Sequence, residues 1–124
     1  MLTKYEIAKI IFTTVNTIRK LNDEKDIESF DDISEERKNQ LLKNIDEILE
    51  HPEITAKDEH DIWMKLKLKD GWKYGEKTDR NNKIHNCLIP YENLNVYQQL
   101  KDEIAICIIR TLSNKGVDKI EKIN

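Results

Sequence analysis

The residues with which this chain could do chemistry are three histidines, two cysteines and 24 carboxylates. Metal binding comes first. His85 and Cys87 form a His-x-Cys pair, but no second pair stands at ligand spacing. Tetrahedral zinc needs four nitrogen or sulfur ligands, or three and a water. Acid–base catalysis comes second. The carboxylate pairs Asp31-Asp32 and Glu35-Glu36 lie in polar segments and read as solvated surface and helix-start charge. The sequence has no Gly-x-Ser-x-Gly elbow, phosphate loop, dinucleotide fingerprint or His-Glu-x-x-His. The expectation is therefore a chain without catalytic residues, resident metal or cofactor.

A different chemistry is concentrated in residues 70–79, DGWKYGEKTD. The chain has only three glycines, and two of them flank Trp72 and Tyr74. Lys73, Lys77, Arg80 and Lys83 surround those rings. Residues 63–91 carry seven basic and three acidic side chains, whereas residues 22–62 carry five basic and fifteen acidic. A net charge of -3 and a pI near 5.7 lack the basic footprint of a protein that binds long nucleic acid. A local basic patch with aromatic rings suits a small anion that carries a ring. Arg80 suits bidentate phosphate binding, and the lysines act as point charges. A charge run of this kind is also what an ordinary solvated face looks like.

Trp63 admits two readings. It packs inward beside Ile62 and Leu66, or it stands off their stripe by about 100°, one helical step, nearer Lys67 and Asp70. In the second case a half-exposed indole stacks a flat ring while Lys67, one turn on, pairs with an anionic group. Trp72, Tyr74 and Tyr91 divide the same way, between rings that cap a core and rings that wall a pocket.

Four helical segments must position these residues. Ile7, Ile11, Val15, Ile18 and Leu21 mark one helical face, ended by Asn22-Asp23. An acidic loop follows over residues 22–33, anchored by Ile27 and Phe30. Ser34 caps a second helix, with Glu35 and Glu36 in its first turn. Its face is Leu41, Leu42, Ile45, Ile48 and Leu49, and His51 before Pro52 stops it near Glu50. Thr55 with Asp58 resembles a capping box and opens a third helix through Lys69, with Ile62 and Leu66 as its buried stripe. Gly71 supplies a left-handed terminator. Short extended pieces are expected at 72–74 and 86–89. Leu100, Ile104, Cys107, Ile108 and Leu112 define a fourth helix, apolar all round over 104–109 and so expected to be the most buried. A central strand is the competing assignment for that run.

At 124 residues, with 36% charged residues and a mean hydropathy of -0.73, the chain reads as one domain whose apolar residues are clustered enough to fold. It lacks an 18-residue apolar run and a signal-peptide pattern, and two cysteines are too few for a disulfide framework. The expectation is a reduced, cytoplasmic protein with no membrane contact.

Over His60 to Leu112 the ordered residues form a pattern: His60-x-x-Trp63, Gly71-Trp72-x-Tyr74-Gly75, Asp79, Lys83-x-His85-x-Cys87-Leu88-x-Pro90-Tyr91-x-x-Leu94. This pattern resembles the RyR domain, the repeat of ryanodine receptors that also occurs alone in bacterial and bacteriophage proteins. Asn16 in the first helix and an amphipathic second helix extend the likeness to the stand-alone members, over residues 3–112. One departure is His85-Asn86-Cys87, where the family usually has His-Pro-Cys, which bears on the geometry of that loop.

The resemblance implies a mostly α domain of about four helices, with a short β-hairpin-like loop between helices 3 and 4. It divides the chain into a helical part (1–57), a motif core (58–112) and a tail (113–124). It also implies adenine-nucleotide binding between paired repeats, with Trp63 in contact and Lys67 as the basic residue one turn later. A single repeat could recreate the pair as a homodimer. Stand-alone members are implied to sense or sequester nucleotide-derived signals in phage–host conflict.

The leading expectation is a non-catalytic domain for a nucleotide-derived small molecule. In it Trp63 stacks the base, Lys67 and Arg80 hold phosphate, and Trp72, Tyr74 and Tyr91 shape the wall. The alternative is a protein–protein interaction module that uses the same loop as a docking surface. A third is an enzyme acting on a nucleotide, with Asp79 or His85 as acid–base group.

Overall fold

A computed structural model describes residues 2–113. The tail expected over 113–124 lies outside the described residues beyond Ser113. Four helices, α1 (Lys4–Leu21), α2 (Glu35–Glu50), α3 (Ala56–Lys69) and α4 (Val96–Leu112), account for most of the described chain. Between α3 and α4 lie two short strands, β1 (Lys73–Tyr74) and β2 (Ile84–His85). Three 3₁₀ turns, Phe30–Asp32, Arg80–Asn82 and Tyr91–Asn93, fill the connections.

The caps explain the helix boundaries. Thr3 and Glu6 form a capping box at α1, and Thr55 and Asp58 form another at α3. Ser34 and Asn95 each accept a backbone N–H in the first turn of α2 and α4. Gly71 adopts φ +85°, and the Gly71 and Trp72 amides donate back to the carbonyls of Leu68 and Lys67 at 3.1 and 3.0 Å. That paired closure is a Schellman turn, and only a residue tolerant of positive φ fits its pivot.

The core lies where α1 packs against α4 and α2. Ile45 and Ile109 are its most enclosed large side chains. Phe30 pins the acidic loop onto this core, edge-on to Phe12 and Tyr5 at 5.9 and 5.2 Å. Ile33, which the sequence reading passed over, is buried beside it, while Ile27 is only partly covered.

Several expected faces are corrected. Leu21 is exposed. On α3, Ile62 is 37% and Leu66 60% exposed, whereas Ala56 and His60 are buried. The helix turns its His60–Trp63–Lys67 side inward because His60 Nε2 donates to the Ile89 carbonyl at 2.8 Å, docking that face on the 84–91 segment. α4 buries Ile106 and Ile109, while Leu100 and Cys107 are exposed. An all-apolar run carries no periodicity to fix its face, and α1, with six buried residues, is the more enclosed helix. The strand alternative for 104–109 is excluded by the helix found there.

β1 and β2 pair in parallel, Lys73 with Ile84 and Tyr74 with His85, so the element is not a hairpin. The Arg80–Asn82 turn reverses the chain once more, with an antiparallel bridge from Asp79 to Ile84. The second extended piece therefore sits at 84–85 and not at 86–89. Cys87 and Cys107 are both free thiols. No helix among the described residues is long and apolar enough to cross a membrane.

A cavity of about 110 Å³ opens between the four helices, lined by apolar groups such as Ile11, Leu41 and Ile106 and by the carboxylates of Glu59 and Asp102. Burial pushes Asp102 up to about 6; Glu103 adds to this, and His60 and Lys101 oppose it. Burial, then Glu47, Asp102 and Asp58, raises Glu59, against His51. Both groups bind protons more tightly folded than unfolded. Stability therefore rises as pH falls from 7 through about 6, and that gain is complete below the unfolded value near 3.8. Asp102→Asn should raise stability at pH 7 by on the order of 1–2 kcal/mol, a difference that closes by about pH 4. Urea unfolding across that range checks it; a destabilised variant at pH 7 would contradict it.

Candidate functional site

The Schellman turn at the end of α3 determines the geometry of the site. By folding Trp72 back over the last turn it sets the indole against Lys67, whose Nζ lies 4.3 Å from the ring centroid. Trp63, one turn earlier on α3, is partly buried. Parallel pairing of β1 with β2 then brings His85 between the two indoles. Its ring is edge-on to Trp63 at 4.9 Å and tilted to Trp72 at 6.2 Å. On the inner side His60 lies 5.4 Å from Trp63 and 5.9 Å from Tyr91, so the rings run continuously from buried Tyr91 out to Trp72.

His85 is neutral in this setting. Burial, then Arg80 and Lys67, pushes it down to about 4. Its Nδ1 accepts the Cys87 amide at 3.0 Å, so the proton sits on Nε2. No described residue accepts that proton, which leaves a donor at the aromatic cluster. The Asn86 amide donates to Thr78 Oγ1 at 3.2 Å, a bond that a proline there could not make. The His-Asn-Cys variation thus adds a tie across the loop. Burial pushes the Cys87 thiol up to about 11, and it donates to Asn86 Oδ1. A thiol so held is no nucleophile.

Lys67 lies on the aromatic cluster, and Arg80 is near enough to act on His85. Burial and then Arg80 hold Lys67 below its ordinary value; burial and then Arg37 do the same to Arg80. Arg19, in the last turn of α1, is depressed by burial, with Arg37 and Arg80 adding and Glu24 opposing. Three of these, Arg19, Lys67 and Arg80, have no carboxylate within ion-pair distance among the described residues, while Arg37 pairs with Glu28 at 2.8 Å. A cluster of mutually repelling, partly desolvated cations favours an anion.

Of the six residues expected to contact ligand, Trp63, Lys67 and Trp72 are brought together, and Arg80 is close enough to act on Lys67. Tyr74 is exposed and makes no ring contact within the cluster among the described residues. Tyr91 is buried, its hydroxyl donating to Glu103 Oε1 at 3.0 Å, so it backs His60 behind the Trp63–His85–Trp72 rings. Sequence reasoning gave His85 only as an acid–base candidate, and it did not single out Arg19 or Arg37. Arg19 and Arg37 lie far upstream, in segments that read as helix end and helix start. The one local signal was Asn16, three residues before Arg19, which accepts from Arg19 Nη1 at 2.6 Å. The cavity between the helices has none of the cluster's residues in its lining.

Compared with known families, residues 46–119 match the model described as RyR domain. The match spans well over half of the chain and includes every ring of the cluster.

Proposed function

Since the chain belongs to the RyR domain family, we propose that it is a non-catalytic domain that binds a nucleotide or nucleotide-derived signal at the Trp63–His85–Trp72 cluster. Acting as sensor or as sequestering protein in phage–host conflict is part of the same reading. The observation that carries it is the coincidence of two indoles with cations that lack a carboxylate partner, Lys67 and Arg80. Trp63 stacks the base, Lys67 and Arg80 take phosphate, and the His85 Nε2–H donates to a ring or sugar acceptor. Trp72 holds Lys67 in place. Base-on-indole stacking contributes roughly 1–3 kcal/mol, and each charge-assisted phosphate contact about 1.5–3 kcal/mol. A few such terms, less ordering costs, reach the ~8 kcal/mol of a micromolar complex.

Catalysis finds little support at this site. A histidine held near 4 is a poor acid or base at neutral pH, and Asp79 is engaged by Asn82 Nδ2 at 2.6 Å. A second reading, a protein-interaction module, is favoured by the outward face of α3, where Ile62 and Leu66 are exposed; Tyr74 is exposed as well. Pairing of two copies, as in the family's paired repeats, would use such a surface.

Titration calorimetry with mononucleotides, cyclic dinucleotides and ADP-ribose derivatives tests the proposal. Saturable heat with at least one, at micromolar affinity, is expected. Silence across the panel transfers the weight to the interaction module. Conversion of a ligand to product, read by chromatography, would overturn the non-catalytic assignment.

A further inference from the structure

We propose that the cavity between the four helices is a second binding site, and that it takes a small aliphatic primary ammonium ion. The tail sits on isoleucines and the head lies between Glu59 and Asp102. This site is independent of the nucleotide reading.

The cavity is amphipathic along its length. On α4, Asp102, Ile106 and Ile109 stand at i, i+4 and i+7, so one carboxylate heads a stripe of isoleucines. α2 brings Asn44 and Ile45, and α3 brings Glu59. Asn44, Glu59 and Asp102 are partly exposed, whereas Ile45, Ile106 and Ile109 are buried. The polar residues therefore stand at the mouth, and the isoleucines form the floor. The volume of about 110 Å³ is several times the roughly 10–15 Å³ that one water needs, and below the about 150 Å³ of an apolar cavity that takes benzene. It fits a ligand of about five heavy atoms, such as isobutylammonium.

The protein leaves the charge at this mouth unmet. Glu59 Oε1 is shut off from solvent and has no hydrogen-bond partner among the described residues. No hydrogen bond from the described residues holds the Asp102 carboxylate either. Cations on the same helix as Asp102 are committed elsewhere. Lys101 is held by Glu24 and Gln98 at 2.6 and 2.8 Å, and Arg110 donates to the Ile54 carbonyl at 2.6 Å. Burial raises both carboxylates, so keeping them ionised costs stability at neutral pH. Stability alone does not account for two such groups on an apolar wall. No three His, Cys, Asp or Glu side chains among the described residues are grouped to hold a metal ion, and an isoleucine floor offers a hydrated metal no oxygen ligand. A primary ammonium brings three N–H donors to the two carboxylates, while its tail displaces water from the floor.

The test titrates the full chain with isobutylammonium, with its uncharged counterpart isobutanol and with ammonium, at neutral pH and one fixed ionic strength. Binding is read from the isoleucine methyl signals in a carbon–proton correlation spectrum. The same titrations use Asp102→Asn and Glu59→Gln, which keep the shape and remove one charge each. Thermal unfolding confirms that both variants are folded. Isobutylammonium should shift the Ile106 and Ile109 methyls saturably and bind at least about tenfold tighter than isobutanol. Ammonium, which has no tail, should leave these methyls fixed. Each variant should weaken the amine by about tenfold and leave the alcohol nearly unchanged. An amine that does not shift the two methyls, that binds no better than the alcohol, or that binds both variants as it binds the unaltered chain overturns the site. None of these outcomes bears on the aromatic cluster.

Discussion

Trp63→Ala is expected to weaken the ligand that binds most tightly by about tenfold to a hundredfold, the 1–3 kcal/mol of one base–aromatic stack. The indole is partly buried and touches His60 and His85, so the same change removes packing. A stability loss of roughly 1–3 kcal/mol should accompany it, below that of a fully enclosed tryptophan. Trp63→Phe separates the two effects. It keeps a flat ring and most of the contact area, and should recover stability more fully than affinity. Urea unfolding and calorimetry on the two variants check this. Affinity that survives in Trp63→Ala would place the ligand elsewhere.

Gly75→Ala should disable the same site from a distance. Gly75 follows β1, and a methyl group on its Cα would fall inside the contact distance of Ile84 Cγ2. Ile84 opens β2 and is followed by His85, so the clash moves the strand that carries the neutral imidazole. Overpacking of this kind costs about 1–3 kcal/mol. Ligand affinity should fall at least about tenfold, because His85 leaves its place between the indoles. Ile84→Ala in the same chain removes the obstructing methyl. The double variant should therefore be more stable than the two single effects summed, by about 1 kcal/mol or more. Strict additivity would show that the close approach of Gly75 to Ile84 is not what positions His85.

The helix ends were legible because they are written in local chemistry. Ser34, the Thr55–Asp58 box, Pro52 and Gly71 each act within one turn of their own position. The faces of α3 and α4 were not. On α3 the apolar pair Ile62 and Leu66 reads as the core stripe by hydropathy, yet tertiary contacts turn His60 and Trp63 inward. The sequence reading grouped Trp63 with Lys67 and left open whether that side packs inward; its error was to take Ile62 and Leu66 as the buried stripe. Two-residue strands carry no alternation, so parallel pairing could not be read from them.

The site's own pH response follows from His85. Because it stays neutral down to about 4, ligand binding between pH 6 and 8 should not change through this residue. A pH dependence there is expected from the second ionisation of a terminal phosphate on the ligand, near 6, and from Asp102, pushed up to about 6 behind His60.

A ligand seated at the cluster lies against the Trp63 indole, beside Lys67 and Arg80. The nitrogen–proton correlation spectrum of the two indole N–H groups during titration with ADP and with ADP-ribose, the Trp63 signal assigned from Trp63→Phe, reads this directly. The Trp63 resonance should shift saturably, with a midpoint that agrees with calorimetry, and Trp72 should move less. Two indole signals that stay fixed at millimolar ligand, under conditions where the chain is folded, would contradict it.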